Sequence, residues 1–214
     1  MNRLPSLVRQ HLAALRGLLV FTVLCGIIYP AVMFGVAQAA FHQQANGSQV
    51  SYQGKVVGSS LLCQEFVNAK GNPLAQYFQP RPSAAVNATD KTDYGCDPGF
   101  SAASNLGPNN PTLVQLIKQR QKQYAALNHV KISSIPPDAV TASGSGLDPD
   151  VSPQNAYLQV NRVAAARHAS PSAVRALVSR FVQGRTLGFL GEPRVDVLTL
   201  NIALDQQFPL ASGH

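Results

Sequence analysis

The first residues to weigh for chemistry are the serines of Ser143-Gly144-Ser145-Gly146. In the nucleophile elbow of hydrolases, glycines stand two residues before and two residues after the serine, on a strand-to-helix turn. With Ser145 as the nucleophile, the residue two positions earlier is Ser143, so the pattern is incomplete. His129 and His168 are the available bases, but no spacing ties either one to the serines. We therefore predict no catalytic residue and keep a membrane-anchored extracytoplasmic hydrolase only as an alternative function.

Two acidic patterns are typical of phosphorylation or cation binding. Asp90-Lys91-Thr92 matches the start of the DKTG sequence that carries the aspartyl-phosphate of P-type ATPases, but Asp93 follows in place of glycine. Asp148 and Asp150 are spaced to hold a cation together, but the EF-hand pattern is absent around them. The sequence favours a solvated loop for the first pattern and an aspartate-capped turn for the second.

A long uncharged stretch, residues 17–41, organises the rest of the chain. At ~1.5 Å rise per residue, a helix of this length reaches roughly 37 Å, enough to cross a ~30 Å hydrocarbon core with some tilt. A helix is expected because lipid offers no partners for backbone polar groups. Pro30 removes one internal hydrogen bond and is expected to bend the helix.

The charges that flank this stretch predict its orientation. Arg3, Arg9 and Arg16 precede it, and the first charged residue after it is Lys55. This asymmetry places the N-terminus in the cytoplasm and everything from about residue 42 onward outside. Ala37-Gln38-Ala39 also fits the cleavage pattern of a signal peptide, but the apolar stretch is longer than the usual h-region. We favour an uncleaved anchor.

Cysteine placement follows from that orientation. Cys63 and Cys96 lie in the region predicted to be outside, where disulfides persist. Neither has a second ligand at CxxC or HxxxH spacing, so no metal site is predicted. The sequence leaves open whether the two form a disulfide or are two buried free thiols. Cys25 lies within the span as a small apolar residue.

Composition argues against nucleic-acid binding. The 214 residues carry a net charge of +7, with only 13% charged residues and no run of Lys or Arg. We divide the chain into a cytoplasmic arm (1–16), a transmembrane helix (17–41), a linker (42–54) and one extracytoplasmic domain (55–214). Clusters of strands and helices predict an α+β fold for that domain.

Local signals place the elements of the outer domain. Asn110-Pro111, Ser152-Pro153 and Ser170-Pro171 each combine a capping side chain with a proline that needs no donor, which predicts three helix starts. Apolar runs predict one or two strands within 56–66, a short strand at 76–78 and a central strand at 194–204.

Two long irregular segments stand between these elements. Residues 83–111 and 138–149 are rich in Ser, Gly, Asn and Pro, and long loops in compact domains are usually functional. We predict that they form an interaction surface. Arg162 and Arg167 are expected to make ion pairs or cap contacts, and Glu192 is expected to pair with Arg194 across a turn.

Several segments together resemble the KdpC family, the C subunit of the potassium-transporting P-type ATPase. The resemblance rests on YFQPRPSA at 77–84, SNLGP at 104–108, PDAVTASGSGLDP at 137–149 and GEPRV at 191–195. It includes the N-terminal span and covers nearly the whole chain. The chain departs from the family pattern at Cys63, Asp150 and Asp196, where the family has Gly, His and Asn, respectively. It also departs over 97–103, where the family has a short ASGG lead into SNLGP.

The resemblance implies a non-catalytic accessory subunit of a high-affinity, ATP-driven potassium uptake complex in the plasma (inner) membrane. Its implied partners are KdpA, KdpB and KdpF besides the lipid bilayer, and its outer domain would lie near the place where potassium enters KdpA. ATP, Mg²⁺ and potassium would be used by the complex, with no cofactor bound directly by this chain. A free-standing anchored binding protein is the other alternative.

Candidate residues for partner contact or for shaping the loops follow from the motifs. They are Arg81, Pro82, Ser83, Ser104, Asn105, Leu106, Gly107, Pro108, Asp138, Ser143, Gly144, Ser145, Gly146, Asp148, Arg162, Arg167, Glu192 and Arg194.

Overall fold

The computed structural model describes residues 5–90 and 94–210. Lys91, Thr92 and Asp93 of the DKTD segment lie outside the described residues, as does Arg3. The chain divides into two compact units, the first ending at Ser48 and the second beginning at Gln49.

The first unit is a long apolar helix. It comprises α1 (Ser6–Val23), a π-helical turn (Leu24–Ile28) and α2 (Tyr29–Ala40), followed by the short α3 (His42–Ala45). An 18-residue window of this helix has a mean hydropathy of 2.3, and none of that window is buried. By length and composition, the helix is the one candidate membrane span among residues 5–90 and 94–210. The helix starts well before the predicted boundary at residue 17.

The π-helical turn precedes Pro30 directly. A proline ring clashes with the carbonyl four residues earlier, and a widened turn relieves that clash without ending the helix. The structure shows a widened turn from Leu24 to Ile28, and the predicted bend at Pro30 stays a prediction.

The second unit has the predicted α+β class. It holds two small antiparallel sheets, one pairing β1 (Gln49–Tyr52) with β2 (Lys55–Ser59) and one pairing β3 (Asp150–Val151) with β4 (Val195–Asp196). Its longer helices are α4 (Pro111–Asn128), α5 (Pro153–Ala166), α6 (Pro171–Phe181) and α7 (Val197–Gln207), with 3-10 turns at Ile132–Ser134 and Pro137–Ala139.

The three predicted helix starts are confirmed. The side chains of Asn110, Ser152 and Ser170 accept hydrogen bonds from Thr112 N, Asn155 N and Ala173 N, and a proline follows each cap. Each cap satisfies one of the donors that a helix start leaves without an internal partner.

The core lies between α5, α6 and α7. Helix α6 packs against both of the others, and the side chains between them are apolar and fully buried. They include Val163, Val174, Leu177, Leu200 and Leu204.

The predicted central strand at 194–204 is wrong. Only Val195 and Asp196 form a strand, and α7 begins at the next residue. Asp196 Oδ1 accepts from Thr199 N at 2.7 Å and so caps the helix. This run carries apolar residues on several sides, and α7 is buried among the other core helices. Periodicity alone does not separate a buried strand from a buried helix.

The predicted strand at 76–78 is also wrong, because these residues form a turn and an extended segment. Of the one or two strands predicted within 56–66, one is confirmed as β2, which ends at Ser59. The predicted linker, 42–54, is structured: it holds α3 and β1, and β1 pairs with β2.

Candidate functional site

Two of the irregular segments are hydrogen-bonded to each other. Ser83 Oγ donates to the Gly146 carbonyl at 2.6 Å, and Ala102 N donates to the Ser145 carbonyl at 2.9 Å. Ser101 Oγ donates to that same Ser145 oxygen at 3.0 Å. We call this contact of 83–102 with 143–147 the loop junction.

Gly146 is the tightest point of the loop junction. Its φ is +72°, and a Cβ there would lie 2.5 Å from the Ala102 carbonyl oxygen and 2.8 Å from the Ala85 nitrogen. A side chain at this position would meet backbone on two sides, and backbone cannot rotate away. Gly144, two residues earlier, has open space around it.

A disulfide between Cys63 and Cys96 closes the same region. Cys63 N donates to the Leu147 carbonyl at 3.0 Å, and Ser83 Oγ accepts from Cys96 N at 3.0 Å. The question that the sequence leaves open is thus answered in favour of a bonded pair. The bond ties the segment that follows β2 to residues 83–102, and the Cys63 backbone hydrogen bond ties it to residues 143–147.

Arg81 and Asp148, each just outside the loop junction in the chain, form an ion pair. Arg81 Nη1 lies 2.7 Å from Asp148 Oδ2, while Arg81 Nε is buried and has no hydrogen-bond partner among the described residues. Asp148 Oδ1 accepts from Asp150 N at 3.0 Å, which is the aspartate-capped turn that the sequence favours.

Asp138 fixes the start of α5. Its carboxylate accepts from Ser152 N at 2.8 Å, from Ser152 Oγ at 2.9 Å and from Asn155 Nδ2 at 3.0 Å. With three donors on one carboxylate, Asp138 holds the 3-10 turn Pro137–Ala139 against the helix rather than offering a free charge to a partner.

Arg162 is a buried cation that organises backbone. Its Nη1 donates to the carbonyls of Ala75 at 2.6 Å and Tyr77 at 2.9 Å, and its Nε donates to Asn128 Oδ1 at 2.8 Å. Burial lowers the pKa of its guanidinium to about 10. The guanidinium group suits this task because its five N–H donors lie in a fixed geometry. They bond to the carbonyls of residues 75–77, which are not paired in a sheet.

Arg167, at the C-terminal end of α5, has a similar structural role. It pairs with Asp205 at 2.7 Å, donates to the Gln76 and Phe208 carbonyls and stacks over the Tyr77 ring. Burial, followed by the Asp205 charge, raises the pKa of Tyr77. For Arg167 the expected ion pair is confirmed, and Arg162 makes cap contacts instead.

Two side-chain amides take the place of a strand beside residues 78–79. Phe78 N donates to Asn201 Oδ1 and Asn201 Nδ2 donates to the Phe78 carbonyl, both at 2.9 Å. Gln159 binds the backbone of Gln79 in the same way, at 2.7 and 3.1 Å. We did not identify either amide from the sequence. The sequence signal that could have indicated Gln159 and Asn201 is a polar residue within the apolar face of a helix.

The predicted Glu192–Arg194 pair is wrong. Glu192 pairs with Arg185 at 2.8 Å, and Arg194 pairs with Asp150 at 3.1 Å. Because Asp150 lies opposite Asp196 across β3 and β4, Arg194 neutralises charge where two acids face each other. Burial, partly offset by Arg194, raises the pKa of Asp150 to about 6.

The SNLGP segment leads into α4. Ser104, Asn105, Gly107 and Pro108 are exposed and Leu106 is half-buried, with Asn110 N donating to the Gly107 carbonyl at 3.0 Å. The remaining predicted residue, Pro82, lines an open groove.

That groove has a volume of about 660 Å³. Its lining includes Arg81, Pro82, Arg120, Tyr124 and Glu65. Arg120 Nη1 donates to the Val140 carbonyl at 3.2 Å, and Tyr124 Oη donates to Asn155 Oδ1 at 2.8 Å. Both polar side chains are thus engaged in holding the walls of the groove.

The serines of the SGSG motif are not arranged for nucleophilic attack. Ser145 Oγ accepts from Leu147 N at 3.1 Å, and Ser143 is buried. Within residues 5–90 and 94–210, no hydrogen bond joins a histidine to either serine. In that same portion of the chain, no group of three His, Cys, Asp or Glu residues is placed to hold a metal ion. The arrangement builds and braces loops.

A candidate membrane span followed in the chain by a small α+β domain fits the class of single-pass membrane proteins. The sequence model of the family described as "KdpC: K+-transporting ATPase, c chain" matches residues 11–206, so the chain belongs to the KdpC family. It is 47% identical over 206 residues to the "Potassium-transporting ATPase KdpC subunit" of Kineococcus radiotolerans, covering 96% of this chain and 98% of that one.

Relatives from other bacteria are similar over comparable lengths. The protein of that name from Streptomyces avermitilis is 44% identical, covering 96% of this chain and 97% of its own. The one from Geobacter sulfurreducens is 46% identical, covering 90% of this chain and 95% of its own.

Proposed function

We propose that this chain is the non-catalytic accessory subunit of a potassium-transporting P-type ATPase and that it assembles and stabilises that complex. The observation that carries the proposal is the match to the KdpC family from residue 11 to residue 206, together with relatives of nearly equal length that bear the subunit's name. Its partners in this proposal are KdpA, KdpB and KdpF.

The orientation proposed is a cytoplasmic N-terminus and an extracytoplasmic domain in the plasma membrane. The arginines that precede the uncharged stretch 17–41 support it, since no charged residue follows that stretch until Lys55. The Cys63–Cys96 disulfide supports it independently, because disulfides persist in oxidising compartments outside the cytoplasm.

The domain is proposed to lie near the place where potassium enters KdpA and to support ATP-coupled import without touching ATP. An outer domain and a cytoplasmic nucleotide site are separated by the bilayer, so any effect on ATP use travels through KdpA and KdpB as a shift between conformational states. ATP, Mg²⁺ and potassium belong to the complex in this proposal.

The test is affinity purification of the tagged full-length chain in mild detergent from cells that also produce the other subunits. We expect the ATPase subunit and the polytopic subunit to co-purify, and potassium-stimulated ATP hydrolysis to disappear when this chain is deleted. Recovery of the chain alone, or full stimulated activity without it, would overturn the proposal.

A further inference from the structure

One exposed segment lies between α6 and β4. Residues 183–193 leave α6, turn and return to β4 as a narrow hairpin, which we call the apolar arm. Gln183 and Arg194 exchange backbone hydrogen bonds at 2.8 and 3.0 Å, and Thr186 and Leu190 exchange them at 2.9 and 3.0 Å. The arm is therefore ordered by its own backbone.

The tip of the apolar arm presents large apolar side chains to solvent. Leu187 is 78% exposed, Phe189 is 69% exposed and Leu190 is 50% exposed. Single exposed apolar residues are ordinary, but three adjacent ones on a projecting tip mark a binding surface. The tip turns through positive φ at Leu187 and Gly188.

The charges of the arm indicate what kind of surface covers it. Its two charged residues, Arg185 and Glu192, pair with each other at 2.8 Å at the base of the tip. Burying the tip in a partner therefore moves no unpaired charge out of water. Loops that bind anionic lipid carry clusters of Lys and Arg, and this arm has none. A surface complementary to this tip is uncharged and apolar.

The size of the tip argues against pairing between two copies of this chain. Three side chains at the end of a hairpin offer far less than the ~800 Å² per partner that a stable interface needs. The tip is suited to be an anchor within a larger interface, where a few apolar or aromatic side chains in a pocket supply most of the binding energy.

The other candidate surfaces are less suited to this task. The polar groups of the loop junction bond to each other, as Ser83 with Gly146 and Ala102 with Ser145 show. The arm pairs backbone groups across its own hairpin and keeps its apolar side chains outside, so docking costs it little ordering entropy.

We propose that Leu187, Phe189 and Leu190 insert into an uncharged apolar pocket on the extracytoplasmic face of an integral-membrane subunit of the ATPase complex. This inference rests on the proposed function, because that function supplies the complex.

The test is a photo-crosslinking amino acid, p-benzoylphenylalanine, placed at residue 189 in the full chain within the assembled complex. Ile132 is the matched control, since it is also apolar, is 47% exposed and lies outside the arm and the loop junction. We expect irradiation to join position 189, and not position 132, to an integral-membrane subunit of the ATPase identified by mass spectrometry.

A second measurement uses the double variant Leu187→Ser with Phe189→Ser, and Ile132→Ser as its control. Loss of two anchor side chains should weaken association with the rest of the complex on the order of 30-fold. The control should change it by less than about twofold. The thermal unfolding temperature of each full-length variant, measured in detergent, establishes that the domain still folds.

The outcomes separate the two proposals. If the unmodified chain fails to co-purify with the ATPase, the proposed function fails. If it co-purifies, but position 189 crosslinks only to lipid, only to a second copy of this chain or to nothing, the arm proposal alone is overturned. Association of the double variant within about twofold of the unmodified chain would overturn it as well.

Discussion

The side-chain amide of Asn201 forms two hydrogen bonds with the backbone of Phe78: its Oδ1 accepts from the Phe78 N–H and its Nδ2 donates to the Phe78 carbonyl, each at 2.9 Å. This is the pattern that a neighbouring strand would provide, supplied here by one residue of α7. Phe78 is fully buried, so neither backbone group has access to water.

Asn201→Leu should lower the free energy of unfolding by about 2–5 kcal/mol, because it leaves a buried donor and a buried acceptor without partners. Thermal unfolding of the full chain in detergent, followed by circular dichroism, measures the change. Asn109→Leu is the control: Asn109 is exposed, and its replacement should shift stability by less than about 0.5 kcal/mol. Equal stabilities of the two variants would contradict the role of Asn201.

The two glycines of the SGSG motif should respond differently to alanine. Gly146→Ala should cost about 2–4 kcal/mol, since the new Cβ meets backbone of Ala102 and Ala85 at a positive φ. Gly144→Ala should be close to neutral, because nothing lies within 4 Å of its Cβ position. Unfolding temperatures of both variants, and the yield of assembled complex, report the difference. Similar losses for both would mean that the loop junction is not the cause.

The disulfide should contribute about 3–4 kcal/mol, given the 33-residue separation of its cysteines and the chain entropy that such a loop removes. Cys63→Ser with Cys96→Ser should therefore lower the unfolding temperature by about 10 °C. Thiol alkylation of the denatured, unreduced chain should label Cys25 alone. Cys25→Ser serves as the control, and labelling of all three cysteines without reductant would contradict the pairing.

Stability should depend on pH through Asp150. The pKa of Asp150 is about 6 in the folded protein against an ordinary 3.8, so the native state binds a proton more tightly than the unfolded chain. The stability that this proton contributes is present at low pH and is lost as the pH rises from about 4 to about 6. Asp150→Asn should flatten the dependence of the unfolding temperature on pH in that window.

Asp196, whose pKa burial also raises, leaves some of the slope in place. Asp97→Asn is the control, because Asp97 caps a separate turn at Gly99. An unchanged slope in Asp150→Asn would contradict the assignment of the effect to the β3–β4 pair.

The buried arginines show where prediction from the sequence ends. The sequence indicated that Arg162 and Arg167 make structural contacts, because arginines on the inner face of a helix need partners. It did not indicate which partners: the Asp205 that pairs with Arg167 and the Ala75 carbonyl that Arg162 caps are known only once the chain has folded.

The sequence by itself determined the candidate span and the three capped helix starts. Hydropathy over a long segment, and a cap beside Pro111, Pro153 or Pro171, are local properties that need no distant partner. The resemblance of its motifs to the KdpC family was also readable without coordinates.

Only the tertiary structure decided that 197–207 is a helix, that 76–78 is not a strand and that Cys63 meets Cys96. An apolar run fits a buried strand and a buried helix equally well until its neighbours are known. The partner of Phe78 lies 123 residues away in the chain, and a pairing over that distance depends on packing rather than on any local pattern.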